Sequence, residues 1–403
     1  MTDVRPQLKS GTPDSDQTLI VAPSATGEFQ PGDQVEEFRI LQRLGRGAFA
    51  AVYLARQMTA RRLVAMKVGP REDHGELIHL AQIDHPSVVR LYDRRRIEKT
   101  DLQFLYLEYV AGGSLQSAIE LMTADGGRPS GKGLLAAIDQ ALIEAGQTVP
   151  ERSELRKQIR SRPWPETVAW FGIQLAEGLG AAHRRGILHL DIKPANVLIA
   201  SDGLPKLTDF NISVATEESA MGGRGPEGRG TIEYMSPEQI DAILGQNPRA
   251  GSGAPHQIDR RSDLYALALL LWKMLHGTPP WGDQAPAADP TASTFVPSNP
   301  LHQLEAARDH RDRVAEPSIA SPQKRGSLGN LLLRALSTDP DDRPQTAKEF
   351  ALRLRLVLHP IAEKIIAPKE TGFRSFLRRL PPAVVSASLI LIPNIAAGVF
   401  NFY

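Results

Sequence analysis

Residues 189–198 read His-Leu-Asp-Ile-Lys-Pro-Ala-Asn-Val-Leu, and residues 208–211 read Thr-Asp-Phe-Asn. Asp191, Lys193, Asn196 and Asp209 fall at spacings that can serve transfer of a phosphoryl group from a nucleotide. Asp191 could accept the proton of an attacking hydroxyl, and Lys193 could neutralise the phosphate in transit. Asn196 and Asp209 are oxygen donors suited to Mg²⁺, a hard cation that keeps phosphate and water among its ligands. A polar loop between two apolar strands would account for a single Asp-x-Lys. It does not account for all four groups together.

With those residues in view, the chain resembles the Hanks-type protein kinases of the serine/threonine branch over residues 38–358. That family carries His-Arg-Asp-x-Lys-x-x-x-Asn followed by Asp-Phe-Gly, and this chain departs at Leu190 and Asn211. The resemblance implies an α+β, two-lobed protein-kinase-like fold, with a small five-stranded β lobe carrying one helix and a larger α-helical lobe. It also implies ATP and Mg²⁺ as cofactors and protein substrates as partners.

Composition is compatible with this reading. The 403 residues are enough for two lobes and a separate tail. Forty-seven basic against 46 acidic residues leave a net charge of +1, so global charge does not point to nucleic acid. The absence of cysteine excludes disulfides, zinc–thiolate sites and thiol nucleophiles. The first thirty residues are polar and lack an apolar core segment, so no signal peptide is expected. The kinase domain is expected to be cytoplasmic from the arginines that precede the C-terminal apolar stretch.

Elements that position these residues follow from periodicity. Residues 1–37 are rich in Pro, Ser, Thr, Asp and Gln and read as a disordered tail. Short β-type runs at 38–44, 51–56, 63–68, 88–95 and 104–109, with a helix at 72–83, make a small lobe over 38–110. Helical spacing then marks 114–123, 165–184, 262–275, 328–336 and 347–358 within a large lobe over 111–358. Three stretches look inserted: about 123–162, read as surface loop with one helical piece or a partner-docking element, then 244–258 and 282–326.

The resemblance extends to further residues. The run 44–52, Leu-Gly-Arg-Gly-Ala-Phe-Ala-Ala-Val, joins two strands. Gly45 and Gly47 would let backbone amides approach nucleotide phosphates, with Ala50 at the third glycine position. Lys67 ends an apolar strand and would bind the α/β-phosphates, held by Glu76 from the following helix, with Glu72 as the alternative. Backbone groups of Glu108 and Val110 would read the adenine edge. Leu44, Val52 and Ala65 would lie over the nucleotide, and Leu198 would form the floor. Thr231 would bridge Asp191 and Lys193. Glu238 would pair with Arg343, and Asp263 would hold the catalytic-loop backbone. Leu190 cannot pair with a phosphorylated loop residue as Arg does, so activity is expected not to depend strictly on activation-loop phosphorylation. Asn211 would tolerate positive φ and keep the Asp209 segment in place.

At the C-terminal end, residues 381–403 carry no charge over about one bilayer crossing, and follow Arg374, Arg378 and Arg379 in a basic linker of 359–380. They read as a transmembrane helix that anchors the protein. Thr18, in an acidic context, is a candidate site for a phosphothreonine-binding partner. The alternative to an enzyme is a pseudokinase-like scaffold, favoured by Leu190, Asn211 and the short stretch between Lys67 and Glu76. Four intact chemical residues weigh against it. A small-molecule kinase is disfavoured by the activation segment ending at Glu238.

Overall fold

The computed structural model describes residues 28–47, 50–70, 80–96, 102–210, 232–245, 258–281, 307, 311 and 327–359. Residues 1–354 form one compact unit, and the second unit begins at Arg355. Glu72, Glu76, Asn211, Thr231, Thr18 and residues 360–403 lie outside the described residues.

The small lobe is an antiparallel sheet of six strands: β1 (Gln34–Val35), β2 (Phe38–Arg46), β3 (Ala51–Gln57), β4 (Arg62–Pro70), β5 (Leu91–Arg96) and β6 (Leu102–Glu108). Their spatial order is β1-β2-β3-β4-β6-β5. Two register shifts between β2 and β3, at Ile40/Gln42 and Arg43/Gly45, bend the glycine-bearing strand. The sequence implied five strands and a tail ending at residue 37, and the structure corrects both. Residues 28–37 belong to the lobe: Phe29 and Val35 are buried in its core, and the Phe29 N–H donates to Tyr53 Oη at 3.3 Å. Arg95 fastens this segment. Its guanidinium donates to both Glu37 oxygens at 2.7 and 2.8 Å and lies over the stacked rings of Phe38 and Tyr106.

The large lobe contains α1 (Leu115–Thr123), α2 (Gly131–Glu144), α3 (Glu154–Ser161), α4 (Trp164–His183), α5 (Pro237–Leu244), α6 (Arg260–His276), α7 (Ser327–Ala335) and α8 (Ala347–Leu358). Between α4 and α5 lies the hairpin of β7 (Val197–Ile199) and β8 (Pro205–Leu207). Ser114, Ser130, Ser153, Ser236 and Asp259 cap their helices by accepting a backbone N–H from the first turn. Helices α4 and α6 are buried on most faces and form the centre of the lobe. Gly172 permits their close approach, since a Cβ there would sit 2.6 Å from Leu271 Cδ1.

The stretch 123–162 is also a correction. It carries two helices, α2 and α3, and buries Leu134, Leu135, Ile138, Leu142 and Ile159. Arg156, 5% exposed, donates to the Ser201 carbonyl at 2.8 Å and pairs with Asp139. Ile159 lies against Gly203, where an added Cβ would meet its Cδ1 at 2.5 Å. These two helices therefore support the turn that joins β7 to β8, the hairpin that precedes Asp209.

Candidate active site

The loop between α4 and β7 is held from beneath by α6. Asp263, fully buried, accepts the backbone N–H of His189 at 2.9 Å and of Leu190 at 2.7 Å, and bonds His183 Nε2 at 2.8 Å. Burial pushes the Asp263 carboxyl up, but the His183 hydrogen bond, the neighbouring imidazoles and the His189 N–H hold it below the usual carboxylate range. Burial drives the His189 imidazole down, toward the neutral form. Its Nε2 lies 3.0 Å from the Thr208 carbonyl, which makes Nε2 the protonated nitrogen. Its Nδ1 then faces the Asp191 N–H at 3.4 Å, and its ring packs on Phe210.

Asp191 is the centre of a compact polar cluster. Lys193 Nζ donates to its Oδ2 at 2.9 Å, and Asn196 Nδ2 donates to the same oxygen at 2.9 Å and to the Asp191 carbonyl at 2.8 Å. A 3₁₀ turn over Pro194–Asn196 brings the amide back to the carboxylate. The Thr208 N–H then donates to the Asn196 carbonyl at 3.0 Å, which places the next residue, Asp209, beside this cluster.

Asp209 adopts φ 56°, in the left-handed region. Its Oδ1 accepts from Lys67 Nζ at 2.8 Å, linking β4 to the segment after β8. Desolvation raises the Asp209 carboxyl, and the Lys67 ammonium more than offsets this, so it is held below the usual range. Both side chains stay partly open, at 33% and 41% exposure, and so remain accessible to a ligand. One carboxylate and one amide leave most positions of a metal to phosphate and water, which suits Mg²⁺. Among the described residues no group of three or more His, Cys, Asp or Glu stands ready to hold a metal.

The glycine strand lies opposite β3, with Gly45 paired to Val52, and the Gly47 N–H donates to the Ala50 carbonyl at 2.8 Å. Nothing would meet a Cβ at Gly45, and the nearest atom at Gly47 is 3.6 Å away. The protein's own packing therefore does not demand glycine at either position. Open space above the backbone fits a group that must come close to the amides. Val52 pairs with Lys67, and Ala65 with Leu107, on neighbouring strands. Leu44 is 41% exposed and Val110 is buried. Glu108 ends β6 with its N–H given to Arg90, and its carboxylate pairs with Lys206 at 2.9 Å. Gly112 packs the following chain onto β7, where a Cβ would lie 2.4 Å from the Ile199 carbonyl. Leu198, half-buried in β7, is bridged to Ser114.

Glu238 and Arg343 form the expected bidentate pair, at 2.8 and 2.9 Å. Three other features were not anticipated. Leu190 itself is left-handed at φ 57° and 6% exposed. Gln239 donates from Nε2 to the Leu190 carbonyl at 3.1 Å. Arg311, 1% exposed and within the stretch 282–326, donates to the carbonyls of Ile232, Glu233, Met235 and Ala307 at 2.7–2.9 Å. A buried arginine in a charge-rich stretch gives no periodic signal, so sequence patterning could not single it out.

Known proteins are similar to this chain in sequence. A probable serine/threonine-protein kinase of Streptomyces coelicolor is 28% identical over 330 residues, covering 78% of this chain and 39% of the relative. The serine/threonine-protein kinase pkn2 of Myxococcus xanthus is 31% identical over 78% of this chain and 31% of its own length. PknB of Mycolicibacterium smegmatis, a serine/threonine-protein kinase, is 26% identical over 86% of this chain and 47% of its own length. This chain thus spans less than half the length of each of these relatives. The family profile described as protein kinase domain matches residues 38–352, the stretch that holds most of both lobes and the cluster around Asp191. The chain belongs to the protein kinase domain family.

Proposed function

We propose that this protein is a serine/threonine kinase that transfers the γ-phosphoryl group of ATP to protein hydroxyls. The observation that carries the reading is the pairing of two assemblies: Asp191 with Lys193 and Asn196, and Lys67 with Asp209. Asp191, acceptor-only when ionised, orients the attacking hydroxyl and takes its proton as the bond to phosphorus forms. Lys193 compensates charge on the transferred group. Lys67 has its ammonium where β4 meets the Asp209 segment and is the residue for the α/β-phosphates. Asp209 and Asn196 would hold Mg²⁺, which when bound neutralises phosphate oxygen charge. Glu76 would orient Lys67, and Thr231 would bridge Asp191 and Lys193.

Leu190 supports a finer reading, that activity does not require a phosphorylated activation loop. Its side chain is apolar and buried, so it offers no cation to a phosphate. The full chain, incubated with labelled ATP, Mg²⁺ and a generic protein substrate, should yield phosphoserine or phosphothreonine. Phosphatase treatment beforehand should leave the specific activity unchanged. Absence of transfer despite nucleotide binding would favour the scaffold reading, and a large loss after phosphatase would refute phosphate independence alone.

The charge-free stretch 381–403 and the arginines before it support a membrane anchor for a cytoplasmic kinase domain. Among the described residues no helix is long and apolar enough to cross a membrane. The full chain is expected to co-sediment with lipid vesicles and resist extraction by high salt. A variant ending at residue 370 should stay in the supernatant, and equal sedimentation of both would reject the anchor. Thr18 remains a candidate for a phosphothreonine-binding partner on its acidic context.

A further inference from the structure

We propose that Gln239 is a positioning residue for Asp191, acting through the Leu190 carbonyl. It ties α5 to the catalytic loop without any phosphate, and so deepens, and rests on, the reading of phosphate-independent activity. Leu190 is a buried, non-glycine residue held at φ 57°, a conformation that persists only where the surroundings over-determine it. Both of its backbone polar groups are fixed from outside the loop. Asp263 accepts its N–H at 2.7 Å, and Gln239 Nε2 donates to its carbonyl at 3.1 Å. That carbonyl belongs to the peptide plane from which the Asp191 Cα departs. The other polar group of the plane, the Asp191 N–H, has among the described residues the long 3.4 Å contact with His189 Nδ1. Gln239 is thus the nearer restraint on the plane that carries Asp191.

The choice of an amide is informative. Gln239 is the third residue of α5 and completes a capping box: its Oε1 accepts the Ser236 N–H at 3.0 Å and faces Ser236 Oγ at 3.2 Å. Glutamate serves that box as well as glutamine does. Only the amide has a second end that can donate, and that end meets the Leu190 carbonyl. An ionised carboxylate would set a second acceptor against the carbonyl oxygen in a site where Gln239 is 8% exposed. The helix cap therefore accounts for half of this side chain, and Leu190 accounts for the other half. An Arg at the Leu190 position could pair with a phosphate on the activation loop. Here a neutral hydrogen bond to main chain makes the link to α5.

The test is Q239E in the full chain, assayed for protein phosphorylation from about pH 6 to about pH 8.5 beside the wild type. At neutral pH kcat should fall about tenfold, the scale of one buried neutral hydrogen bond, with KM for ATP unchanged. A carboxylate cannot donate to Leu190, and an ordinary glutamate carboxyl, with a pKa of about 4.3, stays ionised across this range, so the deficit should hold throughout. Glutamate keeps the cap, so a cap role alone would leave kcat of Q239E at the wild-type value, and that result overturns the proposal. Should Q239E fail to fold, Gln239→Met removes the donor without adding charge; a pH-independent kcat loss at unchanged KM supports the proposal, and wild-type kcat refutes it. An inactive wild type would instead count against the kinase reading, and phosphatase sensitivity of the wild type against phosphate independence.

Discussion

Asp191→Asn is expected to lower the rate of protein phosphorylation by about 10²–10⁴-fold, the usual yield of a positioned general base. The substitution is nearly isosteric, and its consequences follow from the donors already in place. Lys193 Nζ and Asn196 Nδ2 both point at Asp191 Oδ2, each at 2.9 Å. An amide at this position satisfies them only by presenting its carbonyl oxygen. Its NH₂ is then turned toward the space the attacking hydroxyl must occupy. A group that accepted a proton becomes one that donates, and the hydroxyl loses both its orientation and its base. The loss belongs to kcat. Lys67 and Asp209 stay paired, so the Kd for nucleotide should remain close to that of the wild type. Single-turnover transfer to a protein substrate, measured beside nucleotide binding, checks both halves. Transfer within a few fold of wild type would remove Asp191 from the role of base.

The sequence carried the grouping of these side chains further than it carried the bounds of the elements. Asp191, Lys193 and Asn196 lie within six positions, and one 3₁₀ turn suffices to bring them together. Such proximity is legible because it needs no tertiary information. Asp209 is separated from Asn196 only by a short hairpin, and was legible for the same reason. Glu238 and Arg343 are 105 positions apart, and resemblance to a family, not spacing, linked them. What was missed depends on distant packing. A two-residue strand such as β1 has no alternation to read, and the burial of Phe29 follows from Tyr53 and Phe104 in other strands. Helix α3 faces inward with Arg156 and Ile159, and an inward arginine masks the apolar period that would have announced a packed helix. In α2 the apolar spacing at Leu134, Ile138 and Leu142 was present, but flanking glycine and charge drew the reading toward a loop. The left-handed Leu190 has no sequence signature, because leucine is a poor residue for that conformation.

Arg343→Met should destabilise the large lobe by about 3–5 kcal/mol, the cost of stripping one member from a buried ion pair. Glu238 and Arg343 are 4% and 0% exposed at their side chains and meet through two parallel hydrogen bonds. Arg343 also donates to the Ser337 carbonyl, and Ser262 Oγ donates to Glu238 at 2.6 Å. Burial pushes the Glu238 carboxyl up, and Arg343 together with Ser262 holds it below the usual range. A carboxylate with a depressed folded pKa adds stability above its unfolded value, about 4.3, and loses it as pH falls through the lower folded value. Wild-type stability from this pair should therefore persist at neutral pH and decline only under acid conditions. In Arg343→Met the sign reverses, because burial without the guanidinium leaves the folded pKa above 4.3. The variant should then lose stability as pH rises, with a small deficit near about pH 4 and the full deficit at neutral pH. Urea midpoints across this range would detect the pattern, and a pH-independent deficit would mean that lost packing, not the orphaned carboxylate, sets the cost. Replacing both partners, as Glu238→Leu with Arg343→Met, should recover much of the loss. Such a variant separates the stability of α5 from its chemistry, since Ser236 and Gln239 keep their own hydrogen bonds on the same turn.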